Sequence, residues 1–312
     1  MDMMMALRAH TRGGPEQLVY EQAPVPVPRP GEALVAVHAA SITFAELTWD
    51  LSWTTRDGQD RTPVIPSHEM SGTVTGLGAG VTSLTPGAEV YGLIGFDRDG
   101  AAAEYVAVPA AELASRPRSV PHVAAATLPL AALTAWQALV DYAALEAGER
   151  VLVHGGAGGV GVYAVQLAAV LGGQVTATGS ARDDDFVRGL GAADFLSAEA
   201  GRFEDAISGV DVVIDAVGGA MTERSYTVMR PGGRLVTLGA PPAEDQARAH
   251  GVHAMFFVVA PDPGELAHLA GLVDQGRLRP VVSQVFPLSE GRRAFESGRH
   301  PRPPGKTVLT VR

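Results

Sequence analysis

In the first 122 residues, apolar positions come in short alternating runs, at 32–38, 72–75, 88–93 and 104–108, each bounded by glycine, proline or another turn former. Alternation with a period of two marks half-buried strands, and closely spaced turn signals predict an all-β, partly closed barrel. The segment PVPVPRPGE at 24–32 carries too much proline for a helix or a central strand and reads as an extended surface connection.

From about residue 123 the period changes. Helix-like segments at 124–142 and 160–171 alternate with β-rich runs at 150–156, 174–180, 211–219, 233–240 and 253–260, with a shorter run at 192–196. Apolar strands alternating with helices predict an α/β fold, a doubly wound parallel sheet covered on both faces. A helix is expected at 263–275, where Leu266, Leu269, Ala270 and Val273 keep helical spacing. The closing runs VVSQVFPL and GKTVLTV have the texture of the first region, so the chain is expected to return there. The predicted organisation is a substrate and catalytic domain of residues 1–122 and 265–312 around a sheet domain of residues 123–264. The Arg-Pro-rich stretch at 299–305 reads as a loop.

With 46 % hydrophobic and 19 % charged residues, the 312-residue chain can bury the cores of two ordinary domains. No apolar run reaches the ~18 residues of a membrane span. The opening MDMMMALRAH lacks a secretory leader pattern, so a cytoplasmic protein with no membrane partner is expected. A formal net charge of −10 argues against nucleic acid as a partner. There is no cysteine, which removes disulfides, thiolate catalysis and cysteine-held metals together. Lys306 is the one lysine, and no function follows from it at this level.

The run RVLVHGG leads directly into GGAGGVG at 155–161 and then into a long helical segment. Gly156, Gly158 and Gly161 match GxGxxG, which is weak alone but strong between a strand and a helix, with a second strand ending about 20 residues on. Glycines let the backbone turn tightly against a pyrophosphate, and the helix start offers N–H groups and a positive dipole end. Gly156, Ala157, Gly158, Gly159, Val160 and Gly161 are therefore the expected cofactor loop. The second strand ends TATGSARDDD. NAD sites usually carry Asp or Glu there for the ribose 2′-hydroxyl. Here Gly179 takes that place, and Ser180 and Arg182 offer a hydroxyl and a guanidinium suited to a 2′-phosphate. NADPH (NADP+) is the expected cofactor. NAD or dual use stays open, because Asp183, Asp184 and Asp185 compete for Arg182.

Over nearly its whole length the sequence resembles the medium-chain dehydrogenases/reductases, in particular their quinone oxidoreductase branch. The resemblance rests on RAHTRGGPEQLVYEQAPVPVPRPGEALVAVHAASI, PVIPSHEMSGTVTGLGAGVTSLTPGAEVYGL, LPLAALTAWQAL, the glycine loop, MRPGGRLVTLG and GKTVLTV. It implies a GroES-like β-barrel domain joined to a Rossmann domain. Zinc members of the family hold their catalytic metal with a cysteine, the histidine of a Gly-His-Glu motif and a second cysteine. Here Ser67-His68-Glu69 stands at that motif, Thr43 at the first ligand position, and Leu130 near the second. A hydroxyl and a leucine cannot replace two thiolates, so no zinc is expected, and His68 and Glu69 read as structural. The resemblance also implies that Thr134 faces the nicotinamide and that Gly218 and Gly239 lie against the dinucleotide. Phe256 or Phe257 would pack near the nicotinamide, with Phe257 the expected contact. Tyr91 reads as structural.

Without a Lewis acid to steady an alkoxide, what remains is hydride transfer to an electron-poor small molecule. The expected function is NADPH-dependent reduction of a quinone or an activated C=C bond, as in an enone or enoyl acceptor. Thr43 is the best polar candidate for orienting the acceptor's carbonyl. Trp49 and Trp53 are four apart, so on a helix they would share a face and meet a flat substrate. Packing against the barrel is their competing role. The alternative function is an NADPH-binding redox sensor or partner-binding protein with little turnover. The apolar run 253–260, as an edge strand, predicts a homodimer that continues the sheet.

Overall fold

The computed structural model describes residues 2–55 and 57–312. The chain divides into one unit of Met1–Leu130, Ala260–Gly276 and Pro280–Arg312, and a second of Ala131–Val259 with Arg277–Arg279. The first unit opens with an antiparallel hairpin, β1 (Met3–Ala9) against β2 (Leu18–Pro24). It continues with β3 (Glu32–Ser41), β4 (Glu69–Leu77), β5 (Glu89–Leu93), β6 (Tyr105–Pro109) and β7 (Leu113–Ser115). Strand β3 pairs with both β4 and β6. Its Ala33, Val35 and Val37 are fully buried and join Met70, Val74, Val90 and Val106 in one apolar core. Alternating apolar residues on several strands thus close over a common interior, as the period of two predicts.

The short helix α1 (His122–Ala125) packs on β3 and β4, so the first unit runs on past residue 122 to Leu130. The single helix expected over 124–142 does not form. Pro129 interrupts it: proline donates no N–H and disfavours helical backbone in the residue before it. Helix α2 (Ala131–Gln137) starts afresh beyond the proline and widens into a π-type turn, Ala138–Tyr142.

The second unit then alternates strand and helix. In chain order these are β8 (Arg150–His154), α3 (Gly161–Val170), β9 (Gln174–Gly179), α4 (Asp184–Arg188) and β10 (Asp194–Ser197). There follow β11 (Val210–Asp215), α5 (Ala220–Ser225), β12 (Met229–Thr237), α6 (Glu244–Ala249) and β13 (His253–Phe256). The sheet order is β10-β9-β8-β11-β12-β13, and every pair is parallel. Strand order reverses between β8 and β11, which opens a crevice at their carboxyl ends, the place where doubly wound sheets take ligands. Strand β13 stops at Phe256, four residues long instead of the eight expected over 253–260, and Pro261 and Pro263 follow soon after.

The chain then returns to the first unit. Helix α7 (Pro263–Asp274) begins with proline at its first position, and Asp262 Oδ1 caps it by accepting from Glu265 N at 2.8 Å. The Tyr91 hydroxyl donates to the Leu266 carbonyl of this helix, and burial pushes its phenol up. Strand β14 (Val282–Pro287), helix α8 (Gly291–Glu296) and strand β15 (Lys306–Thr310) complete the unit. Strand β15 runs antiparallel beside β3, with Val308 opposite Ser41 and Thr310 opposite Ala39. Among the described residues no helix is long and apolar enough to cross a membrane.

At the end of β8, His154 is fully buried between two hydroxyls. Ser225 Oγ donates its proton to the Met221 carbonyl, so it accepts from His154 Nε2 at 2.8 Å, leaving Nδ1 to accept from Thr178 at 3.0 Å. Burial holds this imidazole at about 4, against an ordinary 6.5. The unfolded chain therefore takes up a proton below about pH 6.5 that the folded chain refuses, and stability falls as pH drops toward 4. For His154 the loss by pH 5 is about 2 kcal/mol. Denaturant unfolding at pH 7 and pH 5 should show it, and His154→Gln should reduce the difference. Identical pH dependence in parent and variant would contradict this assignment.

Candidate active site

The glycine turn after β8 is built by backbone contact. Gly155 takes φ 73° at the strand's exit, and Gly158 N bonds back to its carbonyl at 2.8 Å. Gly161, the first residue of α3, sits so close to that carbonyl that a Cβ there would lie 2.0 Å from Gly155 O. A Cβ on Gly156 would lie 2.9 Å from the Ala177 methyl of β9. The turn is therefore a cradle that side chains would fill. It opens at the N-terminus of a ten-residue helix, whose first N–H groups have no partner within the helix. This fits the pyrophosphate of a dinucleotide. Val160 and Ala157 complete the turn as expected, and α3 is buried from Gly161 to Ala168.

Two further turns line the same edge of the sheet. Beyond β11, Asp215 Oδ1 accepts from the amides of Val217 and Gly218, each at 2.9 Å, while its Oδ2 accepts from Thr222 at 2.6 Å. Gly218 has φ 80°, and a Cβ on it would lie 3.7 Å from the Gly239 α-carbon beyond β12. The structure thus brings Gly218 and Gly239 together beside the crevice. Thr134 is buried on α2. Phe257 lies one residue past β13 and stacks on Tyr142 with ring centroids 4.2 Å apart.

At the end of β9, Arg182 is 54 % exposed and its Nε stands 3.7 Å from Asp183 Oδ1. Ser180 is engaged with a residue that sequence reading did not single out. Its hydroxyl donates to Glu199 Oε1 at 2.8 Å, and Ala181 N donates to Glu199 Oε2 at 2.9 Å. Ser197 donates to the same Oε2 at 2.7 Å. The Ser197 hydroxyl, the Ala181 amide and the Ser180 hydroxyl together hold the Glu199 carboxyl down at about 2.

In the first unit, Thr43 is half-buried beyond β3 and stands in a polar cluster centred on Lys306. Lys306 Nζ donates to the Ile42 carbonyl at 2.9 Å and to Thr43 Oγ1 at 3.1 Å. It also approaches Glu69 Oε1 at 2.7 Å, a close ion pair between side chains 6 % and 1 % exposed. The other Glu69 oxygen accepts from Leu130 N at 2.8 Å. Glu46 accepts from Ser67 N at 2.9 Å and Thr43 N at 3.3 Å. Burial pushes its carboxyl up to about 8. His68 is buried edge-on to Phe96 with no partner on Nδ1, and burial lowers its imidazole to about 4.

The tryptophans do not share a helix face. Residues Glu46–Thr48 and Asp50–Ser52 form two 3-10 turns, with Trp49 extended between them. Trp53 is 3 % exposed, with Nε1 donating to the Leu47 carbonyl at 2.9 Å, so it packs in the core. Trp49 is half-buried and edge-on to Phe96, ring centroids 5.3 Å apart. A tetrahedral zinc does not fit the Thr43, His68 and Leu130 positions, which offer one nitrogen and no thiolate. Among the described residues no group of three histidine, aspartate or glutamate side chains is placed to hold a metal.

Residues 29–118 match a family model described as the alcohol dehydrogenase GroES-like domain, and residues 190–309 match one described as zinc-binding dehydrogenase. The quinone oxidoreductase of Coxiella burnetii is 32 % identical, with a TM-score of 0.93 covering all of both chains. The CurK enoyl reductase is 26 % identical, with a TM-score of 0.89 over the full length of both. The spectinabilin polyketide synthase system protein NorB of Streptomyces orinoci is 36 % identical over 90 % of this chain, which spans 13 % of that protein's length.

The cradle geometry orders two substitutions. Gly161→Ala meets backbone at 2.0 Å and must displace the turn, whereas Gly158→Ala meets the same oxygen at 3.1 Å. Gly161→Ala should weaken binding of either dinucleotide by about tenfold or more, roughly one lost charge-assisted hydrogen bond, and Gly158→Ala by less. Fluorescence titration with NADPH and NADH checks the order, and equal tolerance of both alanines would contradict it.

Proposed function

The chain belongs to the medium-chain dehydrogenase/reductase family, in its zinc-independent branch, and from that premise we propose that it is an NADPH-dependent reductase of quinones or activated C=C bonds that needs no metal. The observation that carries the reading is the pairing of chemistries in the two units. One holds a glycine cradle fitted to a dinucleotide; the other holds a hydroxyl backed by a buried cation.

When bound, the cofactor supplies a hydride from its nicotinamide. The chain's own residues bind and polarise. Lys306 already donates to Thr43 Oγ1, so the Thr43 proton points elsewhere, free to be given to an acceptor's carbonyl oxygen. The ammonium behind it favours negative charge building on that oxygen. A threonine hydroxyl is a weaker electrophile than Zn²⁺, so it suits an acceptor that spreads charge over its own conjugated system and not an isolated alkoxide. Quinones, enones and enoyl thioesters have such a system, and the similarity to a quinone oxidoreductase and an enoyl reductase supports them. Arg182 beyond β9, with its exposed guanidinium, supports NADPH.

The chain should oxidise NADPH with benzoquinone- or enone-type compounds at a rate unchanged by exhaustive chelation, and should give almost no activity on ethanol or benzyl alcohol with NADP+. Thr43→Val should lower kcat/KM for an enone by about ten- to a hundredfold, the usual effect of losing one donor to a developing oxyanion. Chelator-sensitive alcohol oxidation with stoichiometric zinc would overturn the proposal. Tight NADPH binding without turnover of any acceptor would favour a redox-sensing role instead.

A further inference from the structure

The ribose of a dinucleotide is read at the end of the second strand of a doubly wound sheet, about 20 residues past the glycine turn. In this chain that place holds the Ser180 hydroxyl and the Ala181 amide, two donors one residue apart beyond β9. Such a pair suits an anion. It already binds one, because both donors are directed onto Glu199, whose side chain reaches across from the end of the neighbouring strand β10. Ser197, the last residue of β10, holds the same carboxylate from behind.

We infer that Glu199 is a specificity-determining residue that competes with the 2′-phosphate of NADPH for the Ser180 and Ala181 donors; this deepens the cofactor reading above and rests on it. The competition follows from charge. A carboxylate and a phosphate dianion cannot share two donors, so NADPH must displace Glu199, which is exposed and has room to leave. The ribose 2′-hydroxyl of NADH imposes no such exchange. It donates, and a carboxylate fixed at that place accepts from it as the strand-end Asp or Glu of an NAD site does. Arg182 pulls the other way, offering a cation to the phosphate alone. The preference of the unaltered chain is therefore the balance of Arg182 against Glu199, and NADH is tolerated. In an NAD site the acid usually stands at the end of the second strand itself. The acid is supplied from β10 instead, 19 residues further on.

The test is the ratio of dissociation constants for NADPH and NADH, by fluorescence titration of the full chain without an acceptor. Glu199→Gln keeps the size of the side chain and removes its charge. It should tighten NADPH about tenfold, the worth of a charge-assisted bond regained, and leave NADH unchanged or slightly weaker. Ser197→Ala, which removes one donor to the carboxylate and leaves its charge, should shift the ratio in the same direction by less. Arg182→Ala should shift it toward NADH. An unchanged ratio in Glu199→Gln, or a shift toward NADH, overturns the inference while leaving the cofactor site intact. Failure of the unaltered chain to bind either dinucleotide overturns the cofactor reading itself, and this inference with it.

Discussion

Glu69 is held at both oxygens, by Leu130 N on one and Lys306 Nζ on the other, with almost none of its surface in water. Taking a carboxylate and an ammonium out of water costs several kcal/mol each, and only close pairing and full hydrogen bonding offset it. Lys306 donates to the Ile42 carbonyl and the Thr43 hydroxyl and pairs closely with Glu69. With Leu130, these contacts join four distant stretches of chain. Leu130 is where the first unit hands over to the second, and Lys306 opens the strand on which the chain comes back. The last strand must therefore lie beside β3 in the register that sets Val308 against Ser41. Any other register would leave an ammonium buried without its partners.

The same requirement shapes the chemistry. A lysine placed to satisfy a buried glutamate also fixes the direction of the Thr43 hydroxyl, so in the proposed reading stability and polarisation of the acceptor rest on one side chain. Glu46 adds to this economy. Burial pushes its carboxyl up to about 8, toward the neutral form, and its two oxygens accept from the Thr43 and Ser67 amides. In the second unit the corresponding constraint is steric. The Gly161 α-carbon lies against the Gly155 carbonyl, so the strand, the turn and α3 form one rigid corner, and Gly218 and Gly239 keep side chains out of the crevice beside it.

What was legible in the sequence was local. The glycine turn, the alternating strands of the first unit and the parallel sheet all follow from patterns a few residues long, and each appears where those patterns stand. The absence of thiolates at Thr43 and Leu130 is equally local. The break at Pro129 is also local, because proline denies the helix an N–H that apolar periodicity on either side does not reveal. The pairing of Trp49 and Trp53 failed because the spacing of four has meaning only on a helix, and two 3-10 turns stand there instead. The rest was out of reach of local pattern. Lys306 and Thr43 are 263 residues apart, and the one sign of that link was that the chain keeps a single lysine. Glu199 gave no sign at all, because its role depends on β10 lying beside β9.

The proposal to be tested is that this chain transfers hydride from a nicotinamide to a conjugated acceptor without a metal. Reduction of an enone with NADPH carrying deuterium at the transferable nicotinamide position, using chelator-treated protein and mass analysis of the product, tests it most directly. The account predicts one deuterium per product molecule, on the carbon β to the carbonyl, because hydride adds at the far end of the conjugated system. Product with no deuterium, or with deuterium on the carbonyl carbon as in an alcohol dehydrogenase, would contradict it.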